Sequence, residues 1–501
     1  MDQLRHIIVQ AGGLGSRLET LTLNKPKAMV PIDNLPIIFY LFRRFPKAQF
    51  SIIADYKAAV LEKYLTAFAD VDWRIIVSAR KGTASGIKEA LAGVGDDPLM
   101  IIWCDLILHD DFVVPELNRN YIGISGDFEC RWSYKHGVFE HLPSRQYGIA
   151  GLFIFKDKSV IEGVPEEGEF VRWLQTQNLE FQPLDLSGTR EIGTMLAYQK
   201  NESSKPRCRP FNRMEFSQDR VVKIPVTPHG EKIAKDEINW YRTIQQYGYS
   251  AIPQIYSYEP LQMERIEGDN VFVYTHFTKF QKIEILLKII GRIKELHTLS
   301  SPVKASHEDC YENYIGKTFD RLGKIENLVP FAKDRFIKIN GAYLKNVFYV
   351  KDELEKRLNE VFPAEFHIIH GDITFSNLML KTEDVEPILI DPRGYFGKTK
   401  IYGDADYDWA KLYYSIVGDY DQFNRKNFSL EITDSEILLN IISNGWSDME
   451  GRFFQETGAN AEKIKLLHAV IWLSLTTYAW EDYDSICGAF YKGILELNRI
   501  L

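Results

Sequence analysis

The sequence predicts an α/β fold class: a mostly parallel sheet covered by helices over roughly the first 200 residues, followed by a separately folded second part. Three observations carry this. Short apolar runs alternate with helix-like segments in the first part, a glycine-rich turn follows the first of those runs directly, and a polar stretch at 199–210 ends the alternation. The chain of 501 residues is also too long for one compact core. At about 100–200 residues per domain, two to four units are expected.

Taken in order, residues 6–10 read as a buried strand running into Ala11-Gly12-Gly13-Leu14-Gly15. Further strand-like runs lie at 50–54, 74–77, 99–104 and 149–155, with helix-like segments at 57–68 and 84–92. Beyond the polar stretch come strand-like pieces at 213–216 and 220–225 around a Gln218-Asp219 turn, then a helix-like run at 231–245 and an extended region at 252–267. From residue 283 the pattern is mainly helical, broken by an extended block at 366–391. The expected domains are therefore 1–202 and 203–501.

A formal net charge of -9 argues against nonspecific nucleic-acid binding, which needs a basic surface, although local basic pockets can still take anionic ligands. Cys104, Cys130, Cys208, Cys310 and Cys487 lie far apart and form no C-x-x-C pair, so free thiols in a reducing compartment are expected. The first apolar run is too short for a signal peptide, and nothing approaches the roughly 18 consecutive apolar residues of a membrane span. A cytoplasmic protein is expected, without nucleic-acid or membrane partners; oligomerisation is left open.

Chemistry in the first part centres on Gly12-Gly13-Leu14-Gly15-Ser16-Arg17-Leu18, followed by Lys25-Pro26-Lys27. Glycines after a strand let backbone N–H groups approach phosphates without Cβ obstruction, and Arg17 and Lys27 add positive charge around a triphosphate. This segment resembles the signature of the sugar-1-phosphate nucleotidyltransferases, G-G-x-G-[ST]-R-L and then P-K. The resemblance continues through Lys81-Gly82-Thr83-Ala84, similar to the base-recognition loop, the 100–105 strand with its metal-binding Asp, the 147–155 strand, and Glu191-Ile192-Gly193-Thr194. It implies a Rossmann-like domain in which Ala11, Gly12, Gly13, Gly15, Ser16, Gly82 and Thr83 bind the nucleotide and Lys27 and Arg17 act on its phosphates. Asp105 and Glu191 would hold Mg²⁺. Glu191 stands where the family has Asp, Cys104 where Gly often precedes the metal Asp, and Lys135 is the candidate for the acceptor phosphate.

The second part carries His370-Gly371-Asp372-Ile373-Thr374-Phe375-Ser376-Asn377, then Ile388-Leu389-Ile390-Asp391. Phosphoryl transfer needs a carboxylate near the attacking hydroxyl and oxygen ligands for Mg²⁺, and Asp372 and Asn377 have the spacing of a kinase catalytic loop, with Asp391 after a strand as the further metal ligand. Upstream, Lys223 ends a strand, suited to the α- and β-phosphates of ATP, and Glu237 on the next helix is placed to pair with it. Residues 251–267 would form a hinge. This part resembles the aminoglycoside phosphotransferase and choline kinase superfamily, an atypical branch of the protein kinase fold. That implies a two-lobed α+β domain, with an N-lobe at about 208–270 and a C-lobe at about 271–501. His370, Arg393, Asp404 and Asp408 would support the catalytic loop, and Arg393 would either touch an anionic ligand or pair with an aspartate. Residues 390–412 look like kinase-like proteins associated with capsule and cell-surface polysaccharide synthesis.

Together the resemblances imply a bifunctional transferase. ATP phosphorylates a hydroxyl compound X, and an NTP, CTP or another, then gives NDP–X and pyrophosphate. X is either a sugar phosphorylated at its anomeric oxygen or a polyol or amino alcohol such as choline, as in a choline kinase/phosphocholine cytidylyltransferase fusion. Trp472, Tyr478, Trp480 and Tyr483 form either a cage for a quaternary cation or, the preferred reading, core packing. A reading from another class makes one half a catalytically dead nucleotide-binding module.

Overall fold

The computed structural model describes residues 4–77, 80–202 and 212–501. The chain divides into two compact units, Met1–Pro206 with Glu481–Asp484, and Arg207–Trp480 with Ser485–Leu501. The boundary expected at 202/203 falls against residues 203–211, which lie outside the described residues together with Cys208. That Glu481–Asp484 groups with the first unit had no sign in the local pattern, because it depends on packing between segments far apart in sequence.

In the first unit the sheet order is Val138–Glu140, Ser133–Lys135, Gly148–Phe155, Leu99–Trp103, His6–Gln10, Gln49–Ala54, Asp72–Val77. The last four strands are parallel. Ile7, Ile8 and Val9 of the central strand are fully buried, as expected for a strand covered on both faces. Gly148–Phe155 runs antiparallel to Leu99–Trp103 and starts an antiparallel extension that the sequence did not reveal. All eight of its residues are buried, so its apolar run has no alternation from which to read direction. The helix expected at 84–92 is shorter, Ile87–Leu91, because Gly82 and Gly86 adopt φ of 102° and 78° and hold the preceding segment as a loop.

One register positions the site. His6 pairs with Leu99 and Gln10 with Trp103, so the two strands end side by side. The glycine turn and Cys104-Asp105 therefore leave the sheet together at its carboxyl edge, where ligands of open α/β sheets bind.

The second unit begins with an antiparallel sheet in the order Asn212–Phe216, Arg220–Pro225, Leu261–Glu264, Ile255–Tyr258. The helix Pro228–Gln246 follows, capped by the Thr227 side chain and with proline in its first turn. Longer helices dominate the rest, among them Lys279–His297, Lys317–Ile325, Ala405–Ile416 and Ala461–Leu475. The helical expectation after residue 283 needs correction. Two hairpins, Phe336–Ile339 with Ala342–Lys345 and Phe428–Ile432 with Ile437–Ile441, join in a further sheet. Asn340 and Gly341, at φ of 49° and 84°, form the two-residue turn of the first; this Asn-Gly pair was a legible hairpin signal. Trp472 is fully buried, its ring centroid 4.7 Å from that of Tyr414 and 5.1 Å from that of Phe423, while Tyr478 is exposed. Trp472 is thus core payload rather than one wall of a cation cage. Among the described residues no helix is long and apolar enough to cross a membrane, and Cys104, Cys130, Cys310 and Cys487 are buried and form no disulfide.

Candidate active sites

In the first unit the glycine turn is tied down at both ends. Ala11 donates its N–H to the Ile53 carbonyl at 2.8 Å. Gly15 takes a left-handed φ of 66° and starts the short helical turn Ser16–Thr22, which carries Ser16 and Arg17. A Cβ on Gly12 would stand 3.4 Å from Asp55, and one on Gly13 would meet nothing, so Gly13 leaves backbone open to a ligand. Gly82 cannot carry a side chain, since its Cβ would overlap the Gly168 carbonyl. Thr83 Oγ1 accepts the Phe170 N–H at 2.9 Å, and its carbonyl accepts from Gln10 Nε2 at 2.6 Å, which ties this loop to the end of the central strand.

Lys27 and Asp105, far apart in sequence, form a close ion pair with both side chains largely buried. Burial works against the Lys27 ammonium, but attraction to Asp105 outweighs it and its pKa lies above the ordinary lysine value. Asp105 Oδ1 is buried and accepts no hydrogen bond among the described residues. Glu191 pairs in a short antiparallel ladder with Leu106, and the Ile192 N–H donates to the Asp105 carbonyl at 2.9 Å. Burial and then the Asp105 charge raise the Glu191 pKa. A Cβ on Gly193 would overlap the Glu191 carboxylate, so the glycine makes room for the methylene by which glutamate exceeds aspartate. Arg17, Thr83, Asp105 and Glu191 line a cavity of about 610 Å³ whose apolar wall includes Trp103, Trp132 and Ile149. Trp103 packs against Gly151, where any Cβ would overlap its ring. The sequence reading missed this wall, because its residues look like ordinary core. Cys104 is not a nucleophile candidate: burial pushes its thiol up to about 12. Lys135 lies over the Tyr147 ring, 5.0 Å from its centroid.

In the second unit, Lys223 Nζ lies 2.8 Å from Glu237 and 2.9 Å from Asp391. Burial opposes the charge on Lys223, but Asp391 and Glu237 restore it and its pKa stands above the ordinary value. The hairpin Leu378–Lys381 with Pro387–Leu389 brings Asn377 and Asp391 to its open end, and the Ile390 N–H donates to the Asn377 carbonyl at 3.0 Å. Asn377 Nδ2 donates to Asp372 Oδ2 at 3.0 Å. Asp372 is thereby joined to Asn377, and Asp391 to Lys223 and Glu237, with the Ile390 backbone linking the two groups. On its other oxygen Asp372 pairs with Lys411 at 2.8 Å, a partner not anticipated from sequence. Lys411 comes one helical turn after Asp408, a spacing that would have suggested it.

Asp408 is fully buried and accepts the N–H groups of His370 and Gly371 at 2.9 and 2.7 Å, together with His297 at 3.1 Å. His370 contacts the Ile390 carbonyl through Nε2 at 2.9 Å, linking the two loops. Asp404 caps its helix and pairs with Lys463 at 2.9 Å. Arg393 pairs with no aspartate among the described residues; it donates to Asn313 Oδ1 at 3.0 Å.

Among the described residues no three His, Cys, Asp or Glu side chains gather where a metal ion could be held. Each site instead offers two ligand side chains, Asp105 with Glu191 and Asn377 with Asp391. This suits Mg²⁺, which commonly takes one or two carboxylates and completes its shell from phosphates and water. The buried Oδ1 of Asp105, unpartnered among the described residues, fits that role, and half of the Asp391 side chain is exposed, at 49%.

Residues 7–128 match the MobA-like NTP transferase domain family. That match covers the strands of the parallel sheet, the glycine turn and Asp105. Over 160 residues the chain is 26% identical to D-glycero-alpha-D-manno-heptose 1-phosphate guanylyltransferase of Aneurinibacillus thermoaerophilus, an alignment covering 31% of this chain and 64% of that protein. Over 109 residues it is 31% identical to N-acetylmuramate alpha-1-phosphate uridylyltransferase of Caulobacter vibrioides, covering 20% of this chain and 45% of the other. The chain thus spans less than two thirds of either relative. The crystal structure of HddC from Yersinia pseudotuberculosis aligns with 40% of this chain and 99% of its own, at 20% identity and a TM-score of 0.35.

Proposed function

We propose that the first unit joins a phosphomonoester to the α-phosphorus of an NTP with release of pyrophosphate, and that the second makes such a phosphomonoester from ATP and a small hydroxyl compound. For the first unit, the observation that carries the reading is the Lys27–Asp105 pair beside Glu191, with a buried carboxylate oxygen lacking a partner among the described residues. The glycine turn and Arg17 would hold the triphosphate, and Lys27 would meet the charge that grows on it as the P–O bond to pyrophosphate breaks. Bound at Asp105 and Glu191, Mg²⁺ would supply charge neutralisation at the phosphates. Both relatives have names that specify a sugar 1-phosphate, which supports that class of acceptor over phosphocholine.

The kinase reading of the second unit rests on the chain of contacts from Lys223 through Asp391 and Asn377 to Asp372. Asp372 would orient the acceptor hydroxyl and take its proton as the oxygen attacks the γ-phosphorus and ADP departs. Lys223, held by Glu237, would pair with the α- and β-phosphates. The product of the second unit is then the substrate of the first, a cytoplasmic route to a nucleotide-activated precursor of surface polysaccharide. The full chain, given ATP, all four NTPs and pooled sugars, polyols and amino alcohols, should yield one new NDP–X mass. Asp372→Ala should abolish ADP formation with ATP still bound, and unchanged turnover would overturn the assignment of the base.

A further inference from the structure

Asp372 faces two different neighbourhoods. Its Oδ2 side leads through Asn377 to Asp391 and Lys223, the nucleotide side in the reading above. Its Oδ1 meets Lys411, and Lys317 lies within the fields of Arg393, Arg321, Lys411 and Asp372. The Arg393 N–H donates to the His370 carbonyl, two residues before Asp372, and its guanidinium donates to Asn313, which lies in the turn just before Lys317. Arg321 follows Lys317 by one turn of the helix Lys317–Ile325.

One carboxylate, Asp372, acts on Lys317 and Arg393 as well as on Lys411, so positive charge is in excess around it. Lys411 is already matched to Asp372. Among the described residues no carboxylate pairs with the other three. Arg321 donates to the Ser474 carbonyl and lies over the Tyr478 ring; Arg393 lies over the Tyr395 ring, 4.3 Å from its centroid. Aromatic faces offset only part of a desolvated cation's cost. The Lys317 side chain is half-buried and makes no hydrogen bond or ion pair among the described residues, its backbone N–H donating to the Glu312 carbonyl. Burial, then the fields of Arg393, Arg321 and Lys411, holds its pKa well below the ordinary lysine value. Partly buried like charges without a counterion are costly, and an anion arriving there relieves that cost.

We infer that Lys317, Arg321 and Arg393 form an anion subsite beside Asp372, so that the acceptor of the second unit carries a carboxylate or phosphate besides the hydroxyl it presents. The inference rests on the phosphotransferase reading of this unit and narrows its substrate class: a quaternary ammonium alcohol is disfavoured by the same cations.

The test is equilibrium binding to the full chain loaded with Mg²⁺ and a non-hydrolysable ATP analogue, with four probes: glycerate, glycerol 3-phosphate, glycerol and choline. One of the anions should bind saturably and at least ten times more tightly than glycerol or choline, and the preferred anion tells carboxylate from phosphate. Lys317→Gln should weaken that anion at least tenfold without changing affinity for the analogue, and Lys317→Arg, which keeps the charge, should restore most of it. Choline or glycerol binding as tightly as the anions, no saturable anion binding, or unchanged anion affinity in a folded Lys317→Gln protein would each overturn the subsite. Failure of the analogue to bind, with anion binding intact, sinks the phosphotransferase reading and leaves the subsite standing.

Discussion

Glu191 reaches the cavity with a side chain one methylene longer than aspartate, and the absent side chain of Gly193 is what accommodates it. Gly193→Ala should push the carboxylate away from Asp105 and lower Mg²⁺-dependent pyrophosphate release by about tenfold or more, with little change in melting temperature. Asp105→Asn should cost more, on the order of 10²–10³ in turnover, because it removes the charge from the oxygen proposed to face the metal. A third residue couples the second site to pH. Asp421 accepts the Ser376 N–H at 2.8 Å, next to Asn377, and its side chain is buried. Burial pushes its pKa up from 3.8 to about 6. The folded state therefore binds this proton more tightly than the unfolded chain. The stability it contributes is full below pH 3.8 and is lost as pH rises through about 6. Wild type minus Asp421→Asn in urea unfolding should show that decline between those pH values; a flat difference would refute it.

At the scale of elements, the 370–377 loop of the second unit is anchored by a helix as well as by its own hydrogen bonds. Asp408, in the first turn of Ala405–Ile416, takes the N–H groups of both His370 and Gly371. Asp408→Asn turns one acceptor oxygen into a donor facing a buried N–H, and should destabilise the unit by about 2–4 kcal/mol in denaturant unfolding. The Gly82 turn is a comparable device in the first unit, where φ of 102° and the Gly168 backbone leave no place for Cβ. Gly82→Ala should lose NTP affinity and about 1–3 kcal/mol of stability together, since the loop has to rebuild. The glycine-rich turn, the Lys223 strand and the Glu237 helix were legible, because each is encoded by a run of neighbouring residues. The hairpins at 336–345 and 428–441 were overlooked inside a region read as helical, although Asn340-Gly341 marked the first.

For the whole molecule, two sites of separate composition predict separable activities. In the full chain, Asp372→Ala should stop ADP formation but leave pyrophosphate release from an added phosphorylated acceptor, and Asp105→Asn should do the reverse. Loss of both activities from either substitution would argue against two independent centres. Chelation of Mg²⁺ should silence both, since each offers only two protein ligands for it.

The sequence by itself determined the order of parts: a parallel α/β domain with a phosphate-suited glycine turn, then a chain carrying Lys223, Glu237, Asp372, Asn377 and Asp391 at telling spacings. Spacing and periodicity are local properties, so they survive without coordinates. Only the tertiary structure decided that Lys27 meets Asp105, that Lys411 sits on Asp372, and that Lys317, Arg321 and Arg393 come within reach of one another's charge. Those relations join residues up to many tens of positions apart, and distance along the chain carries no information about distance in space until the sheet and helices have packed.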